Sequence, residues 1–580
     1  MNKEQYHSSM KRKNLYKTVL GLAIGALTLT GCSDEWDDHY DATVKDVMGG
    51  TLWDAIQQDG NLSNFANVLR TCGYDKSLAS SQVFTVFAPS NDTFSSSEAE
   101  ALIAAYNSQK GIVDDDENTT IKEFLQNHIA LYNYSISSQS NDSIVMMNGK
   151  YLPLNSSSIN GTPFTLTNQH YSNGVLFKVS TPLQFFPNVF EYMSKDSELD
   201  SLYNFFYSDR FYRRVFQPDQ SVAGGIVDGK TVYLDSVFTQ QNELFDTKFL
   251  NARLNREDST YWMVAPTNKV WRELLEEYTS YFNYDNTVAD RDSVIYTNTR
   301  MAITKGTAFS RTINRDNMIN DSIMSTNATY NYLNRNRTWG NDSLHYYQYF
   351  HPFASPTGIF TGSRAVPCSN GIVYVSDDWK IKKTETFFQT RLIEAENNTI
   401  KEVSKIANAQ NVMEETISPK YCTVDNKNAF YGKISGNRFV EFEPLKTTVQ
   451  HSVTFNITNV LSNIGYDIYL VTAPALANDS NATEIQRLPT ILRCTLYYNN
   501  QEGVSQETQL ADRLETKGDE VDYILLAEDF KFPCATYGLV EEEPQVSLKV
   551  ETRVSSYQIR QNTHTRTMRI DCIILKPHEE

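Results

Sequence analysis

The sequence is short of the residues from which most recognisable chemistry is built. Seven cysteines are spread through 580 residues without one CxxC pair, which excludes a zinc ribbon and a dense disulfide scaffold. Nine histidines, at 7, 39, 128, 170, 345, 351, 451, 564 and 578, include no HExxH or comparable metal spacing. A GxSxG elbow, a Walker loop and a dinucleotide fingerprint are all missing. Basic residues are in deficit, with 52 Lys and Arg against 70 Asp and Glu and a formal charge of −18. No basic stripe exists to neutralise phosphates, which argues against nucleic acid as a partner. After Leu29 there is no apolar run long enough for a spanning helix.

The one continuous apolar stretch, Val19 to Leu29, follows Lys11, Arg12, Lys13 and Lys17, the charged-then-apolar order of a secretory signal. It ends in Leu29-Thr30-Gly31-Cys32, which resembles the lipobox cleaved before an acylated Cys; an ordinary signal with an incidental Cys is the alternative. Acylation would hold the chain on a membrane without a spanning helix, since each buried acyl CH₂ contributes about 0.8 kcal/mol. Residues 1–31 are therefore read as a signal peptide, Cys32 as the lipidation site and 32–45 as an acidic tether. With the signal removed, the charge falls near −22. The cluster Ser33-Asp34-Glu35-Trp36-Asp37-Asp38 resembles the surface-export signal of Bacteroidetes lipoproteins, or is a solvated linker. The expected place is the outer membrane, facing outward.

Length implies about three or four domains. Residues 46–191 pattern as a small mixed domain. Leu52, Ile56, Leu62, Phe65, Val68 and Leu69 recur at helical spacing. A continuous apolar strand, Val83 to Ala88, is closed by Pro89-Ser90-Asn91-Asp92, which ends the strand and offers capping side chains. The stretch Phe84-Thr85-Val86-Phe87-Ala88-Pro89-Ser90-Asn91-Asp92-Thr93-Phe94 resembles the first signature of fasciclin domains, and Thr51 to Ile56 resembles their first helix. Phe124 to Ile129, Met147-Asn148-Gly149 and Tyr171 to Val179 follow in family order, the last similar to the second signature. Phe177 and Lys178 depart from the His and Val usual in that family.

Residues 192–388 resemble a divergent second copy. Tyr261 to Trp271 repeats the strand followed by Ala-Pro-x-Asn, and Cys368-Ser369-Asn370-Gly371-Ile372-Val373-Tyr374-Val375 repeats the second signature. Between them, residues 283–345 form a polar insert that reads as helices joined by exposed loops.

From residue 389 the texture turns to short β-rich segments at 439–442, 453–457, 466–471, 491–497 and 568–575, the pattern of a β-sandwich. Leu392 to Asn397, Arg438 to Phe442 and Ile570 to Leu575 resemble galactose-binding-like jelly rolls of carbohydrate-binding modules. The fold expected overall is α+β fasciclin-like domains followed by an all-β sandwich spanning 389–580.

Catalytic residues are not assigned. Among 70 acidic residues none is singled out as half of a glycosidase pair, and an enzyme is not expected. His128, beside Phe124 and Leu125, reads as a structural histidine. Asp114-Asp115-Asp116-Glu117 lacks the Gly and distal Glu of a calcium loop and reads as a solvated loop. Glu394 and Glu396 fall where the resembled jelly rolls hold a structural calcium ion, and strand alternation would put both on one face; the competing account is a solvated strand face. No other cofactor is expected. Of the six remaining cysteines, Cys72, Cys368, Cys422, Cys494, Cys534 and Cys572, four lie in the last third, where one or two bridges or buried thiols are equally open. Tyr278, Tyr281, Phe282 and Tyr284, then Tyr330, Tyr332 and Trp339, then Tyr346, Tyr347, Tyr349 and Phe350 sit beside polar residues and are candidates for packing or for ligand contact. Five Asp-Ser-aliphatic triplets, beginning at Asp142, Asp235, Asp292, Asp321 and Asp342, resemble an O-glycosylation motif.

These readings converge on a surface lipoprotein that binds a polysaccharide or adheres, beside a TonB-dependent transporter and its partner lipoproteins in a Sus-type complex. The alternatives are an interaction protein that scaffolds its neighbours without touching sugar and, last, a hydrolase.

Overall fold

The computed structural model describes residues 48–578 except 116, 217–221, 228–229, 236–237, 246–248, 315–321, 332–343, 398, 447 and 540–544. The signal segment, Cys32 and the acidic tether lie outside the described residues. No helix among those described is long and apolar enough to cross a membrane. The chain divides into two compact units, 1–186 and 187–580.

The first unit is built on the apolar strand that the sequence marks. Strand β1, Phe84–Pro89, is buried at all six positions because both faces of its sheet are covered. Strands β2 (Ile129–Ala130), β3 (Asn141–Val145), β4 (Tyr151–Asn155), β5 (Ser158–Ile159), β6 (Thr162–Tyr171) and β7 (Gly174–Val179) complete a seven-stranded sheet in the order β2-β1-β7-β6-β5-β4-β3. Alternation divides β1 between two cores. Phe84, Val86 and Ala88 pack with Leu52, Ile56, Phe65, Val68 and Leu69 of the helices, while Phe87 packs with Val175, Phe177 and Ile144 on the other face. The first helix, Leu52–Gln58, begins in a capping box between Thr51 and Asp54.

Parallel β1 and β7 pair from Phe84 opposite Gly174 to Pro89 opposite Val179. The turn before β7 is held by Asn173, whose Oδ1 accepts from Leu52 N at 2.8 Å and whose Nδ2 donates to the carbonyls of Leu78 and Ser80, both at 2.8 Å. Gly174 has φ +146°, and a Cβ there would stand 1.9 Å from Phe84 O. The departures at 177 and 178 are accommodated locally: Phe177 stacks on Phe87 with centroids 5.1 Å apart, and Lys178 pairs with Asp59.

The second unit opens with Asn188 capping a helix, Val189–Lys195, that runs through the expected boundary at 191/192. Two hairpins follow: β8 (Tyr212–Phe216) with β11 (Phe238–Asn242), and β9 (Val222–Val227) with β10 (Lys230–Asp235). Then come β12 (Tyr261–Pro266), β13 (Ala308–Ser310), β14 (Ile323–Asn331), β15 (Leu344–Phe350), β16 (Arg364–Cys368) and β17 (Gly371–Ser376); the sheet β13-β12-β17-β16 repeats β2-β1-β7-β6 of the first unit, while β14 and β15 pair in a sheet of their own. Parallel β12 and β17 pair from Tyr261 opposite Gly371 to Pro266 opposite Ser376. Asn370 accepts from Val189 N at 2.8 Å and donates to Leu254 O and Arg256 O at 2.9 and 2.7 Å. The insert is not only helices and loops. Its helix Arg291–Thr304 is followed by β13, and β14 and β15 pair as a long antiparallel ladder, because its Thr- and Tyr-rich stretches suit a pleated, half-buried surface.

Two facing sheets form the rest of the chain. One is ordered β22-β23-β30-β25-β28 with β18 also on β30, and the other β19-β24-β29-β26-β27. The first holds β18 (Arg391–Glu394), β22 (Ile417–Thr423), β23 (Arg438–Pro444), β25 (Gly465–Thr472), β28 (Asp522–Lys531) and β30 (Met568–Pro577). The second holds β19 (Ile400–Val403), β24 (Ser452–Ile457), β26 (Ile491–Asn499), β27 (Ser505–Glu515) and β29 (Val546–Thr552), while β20 (Lys405–Ala407) and β21 (Met413–Glu415) make a separate hairpin. Val440, Phe442, Ile468, Leu470, Ile573 and Leu575 of one sheet pack on Val453, Phe455, Leu492, Leu496, Leu548 and Val550 of the other.

The sandwich and the preceding fasciclin-like copy share one hydrophobic core and a polar seam. Tyr284 O–H donates to Tyr537 O at 2.6 Å, Asn283 Nδ2 donates to Gln501 Oε1 at 2.8 Å, and Ala535 N donates to Asn283 O at 2.8 Å. The change of texture at 389 therefore marks a change of architecture inside one unit.

Candidate functional site

The two sheets of the sandwich turn unlike faces to solvent. On the five-stranded sheet the outward positions are polar: Arg493 lies opposite Glu551 and Thr495 opposite Lys549, with Arg493 paired to Asp512 at 3.0 Å and Arg553 to Glu551 at 3.5 Å. On the six-stranded sheet, Ile393, Ile468, Leu470, Ile524, Leu526, Ile573 and Leu575 point into the core, so Leu392, Tyr469, Leu525 and Ile574 point out. Register sets these four in one line across four strands, Leu392 opposite Ile574, Ile574 opposite Tyr469 and Tyr469 opposite Leu525. Tyr523, next outward on β28, is 58% exposed and Leu525 47%. Charged rungs flank the row. On one side Lys420 lies opposite Glu441 and Glu441 opposite Arg569, with Arg569 Nε 2.5 Å from Glu441. Burial works to raise the Glu441 carboxyl, yet Arg569 and Lys420 hold it below its ordinary value. On the other side Asp467 lies opposite Lys576 and receives His578 Nδ1 at 2.7 Å; that hydrogen bond raises the His578 imidazole.

Beside this row lies a buried acidic cluster. Glu394 closes β18 opposite Cys572, and Asp571 falls where the ladder of β30 with β25 slips. Both carboxylates are buried, at 0% and 1% exposure. Ser435 joins them, its Oγ donating to Glu394 Oε1 and its backbone N to Asp571 Oδ2 at 3.0 Å. Carboxylate oxygens of Glu394 and Asp571 and the Cys572 thiol lie within 4.8 Å of one another. Glu396 follows in a turn beyond the strand end, so chain reversal, not strand alternation, brings it beside Glu394. Its Oε2 is buried without a hydrogen-bond partner. Burial, then the charge of Glu394, pushes the Glu396 carboxyl up to about 7, against Arg438. Hard carboxylate oxygens gathered with little positive charge fit a calcium-like cation, whereas the thiol does not. Asp571 went unmarked in the sequence, although an acid inside an otherwise apolar strand was the available signal.

Ser435 belongs to the loop between β22 and β23, which reaches over the sheet: Lys433 O accepts from Tyr523 O–H at 3.4 Å, and Tyr431 is exposed. Anything that fixes Ser435 therefore fixes the border of the exposed row.

Of the aromatic clusters, Tyr278, Tyr281, Phe282 and Tyr284 are buried, with Tyr278 edge-on to Phe387 at 4.9 Å; they pack and do not face a ligand. Tyr347 and Tyr349 are buried as well, while Phe350 is exposed. Tyr332 and Trp339 lie outside the described residues, as does the side chain of Tyr330. The triplets at 235, 321 and 342 also include residues that are not described. His128 is structural: Nδ1 bonds Phe124 O at 2.7 Å and Nε2 accepts from Leu183 N at 2.8 Å. The six described cysteines are free thiols.

Residues 60–185 match the fasciclin domain family. No curated protein matches the chain. Among solved structures, the chain is similar to a fasciclin domain pair from the insect cell adhesion molecule fasciclin I, at 12% identity and a TM-score of 0.19, covering 56% of this chain and 99% of that one. It is similar to a xylan-binding domain from Paenibacillus barcinonensis, at 10% identity and a TM-score of 0.20, covering 33% and 95%. A family 11 carbohydrate-binding module from Clostridium thermocellum, in complex with a mixed-linked tetrasaccharide, is similar at 10% identity and a TM-score of 0.17, covering 33% and 98%. The first unit thus carries a fasciclin domain over residues 60–185, and the last part of the chain is a β-sandwich of two sheets.

Proposed function

We propose that this protein adheres to glycan at the cell surface, with a polysaccharide chain lying along the exposed row of the six-stranded sheet. The observation that carries this reading is the line Leu392, Ile574, Tyr469 and Leu525, extended by Tyr523, half-buried at its first three positions and exposed at Leu525 and Tyr523, between two charged rungs. A pyranose ring has an apolar face and a polar edge, and an apolar strip bordered by hydrogen-bonding groups meets both. Glu394, Glu396 and Asp571 would hold a divalent cation, which would neutralise the buried charge and tie the Ser435 loop beside the row. The carboxylates of Glu394 and Asp571 are sealed from solvent, which supports a structural role for them over that of a hydrolytic pair. The lipobox-like segment ending at Cys32 supports anchoring in the outer membrane, and with the acidic tether it supports a place beside a TonB-dependent transporter and its partner lipoproteins.

The test is affinity electrophoresis of the full chain through gels containing plant and microbial polysaccharides. Retention on at least one is expected, with the double substitution Tyr523→Ala and Leu525→Ala weakening it about tenfold or more. Chelation with EDTA, or Glu394→Gln, is expected to lower the unfolding temperature of the second unit by several degrees and to weaken retention with it. A chain that no polysaccharide retains, yet which co-purifies stoichiometrically with other outer-membrane proteins, would replace this reading by scaffolding.

A further inference from the structure

A second candidate site lies in the fasciclin-like part of the second unit, away from the sandwich. A cavity of about 300 Å³ opens at the start of β12, where Tyr261 pairs with Ser310. Its size is at the small end of ligand pockets, about 300–1,000 Å³. Phe245 and Tyr261, both buried, give it apolar walls, and Ser310 supplies a buried hydroxyl. Among the described residues, Arg253, which is exposed, is the charged residue that lines it.

The deep wall is irregular in a way that packing does not require. Register between β14 and β15 slips between Ser325 and Thr329, so Asn327 sits on a bulge, a device that re-aims side chains beside binding sites. Its Nδ2 donates to Asn251 O at 2.8 Å, and Asn251 holds a left-handed φ of +51°. With the amide fixed in that direction, Asn327 Oδ1 is left buried in the cavity wall with no hydrogen-bond partner, in a residue only 4% exposed. A buried acceptor without a donor is a standing cost that a ligand hydroxyl would remove.

We propose that this cavity binds a small hydroxylated carboxylate of the sugar-acid class. The carboxylate pairs with the Arg253 guanidinium, whose fork matches it in geometry, a ring hydroxyl donates to Asn327 Oδ1, and the apolar face of the ring lies against Phe245 and Tyr261.

The experiment is saturation-transfer NMR on the full chain with D-glucuronate as probe and D-glucose as its neutral counterpart. Glucuronate is expected to receive transfer and to bind more tightly than glucose. Arg253→Met, an exposed position where folding is undisturbed, is expected to weaken glucuronate at least tenfold, and Arg253→Lys to restore part of the loss. Tyr523→Ala is expected to leave glucuronate unchanged, which separates this cavity from the exposed sheet row. Binding of methyl glucuronide as well as the free acid would assign chain ends of acidic polysaccharides, and binding of the free acid alone a soluble sugar acid. No transfer at millimolar glucuronate, or transfer that survives Arg253→Met and is lost in Tyr523→Ala, would overturn the proposal.

Discussion

In the first fasciclin-like copy His128 is seated beside the central strand, and the equivalent residue in the second is Thr307: Ile129 follows one and pairs with Val86, Ala308 follows the other and pairs with Met263. Both positions are fully buried. At the turn before the last strand, by contrast, the copies agree atom for atom, with Asn173-Gly174 and Asn370-Gly371 in the same register and the same three hydrogen bonds. The difference separates two kinds of constraint. An interior asks for volume and satisfied polar atoms, and a histidine or a threonine with different neighbours can meet that demand. The turn asks for a backbone without a Cβ and an amide with both an acceptor and donors, which leaves almost no choice of residue.

The strongest way to break that comparison is to give either glycine a side chain. Gly174→Ala would place Cβ 1.9 Å from Phe84 O, and Gly371→Ala 1.7 Å from Tyr261 O; φ at both positions is that of glycine. Relief requires moving the central strand, so a loss of roughly 4 kcal/mol or more is expected for each. Calorimetry of the full chain would show one unit's transition falling in each variant and the other unchanged. Equal movement of both transitions would refute the independence of the two units. Asn173→Ala and Asn370→Ala come next. Each strands one buried N–H and two carbonyls, for a loss of about 3 kcal/mol, and matching urea midpoints would confirm that the two turns do the same work.

This contrast also explains what could be read in advance. Both Asn-Gly turns and both central strands are local, contained within a dozen residues, and the sequence displays them directly. Glu394 was visible because it belongs to the short recognisable segment Leu392 to Asn397. Asp571, its partner, was not, because only the pairing of β18 with β30 brings them together. Tyr284 sits among Asn and Asp residues and looks like a surface side chain until the loops around Gln501 and Tyr537 are folded over it. The exposed row of the six-stranded sheet was hidden for the same reason: Leu392, Tyr469, Leu525 and Ile574 belong to four segments, and only register aligns them.

The pH dependence of the two copies gives the gentlest test. Burial pushes the His128 imidazole down to about 4, against the Phe124 carbonyl that its N–H meets. An unfolded histidine titrates near 6.5. Above that value the ring is neutral whether the chain is folded or not, and its full contribution to stability is present. As pH falls from about 6.5 towards 4, the unfolded chain takes up a proton that the folded chain refuses, and stability is lost. The loss amounts to about 2 kcal/mol by pH 5. The second copy, with Thr307, has no such group at this position. The second unit carries a buried imidazole elsewhere, His451, which burial and then Arg566 also push down to about 4, so the comparison that isolates position 128 is within the first unit: the transition assigned to it by Gly174→Ala should fall between pH 7 and pH 5, and His128→Asn should remove most of that fall. If the first transition moves as far with pH in the unsubstituted chain as in His128→Asn, His128 is charged or solvated in the folded protein, and the contrast between the two interiors fails at the residue that defines it.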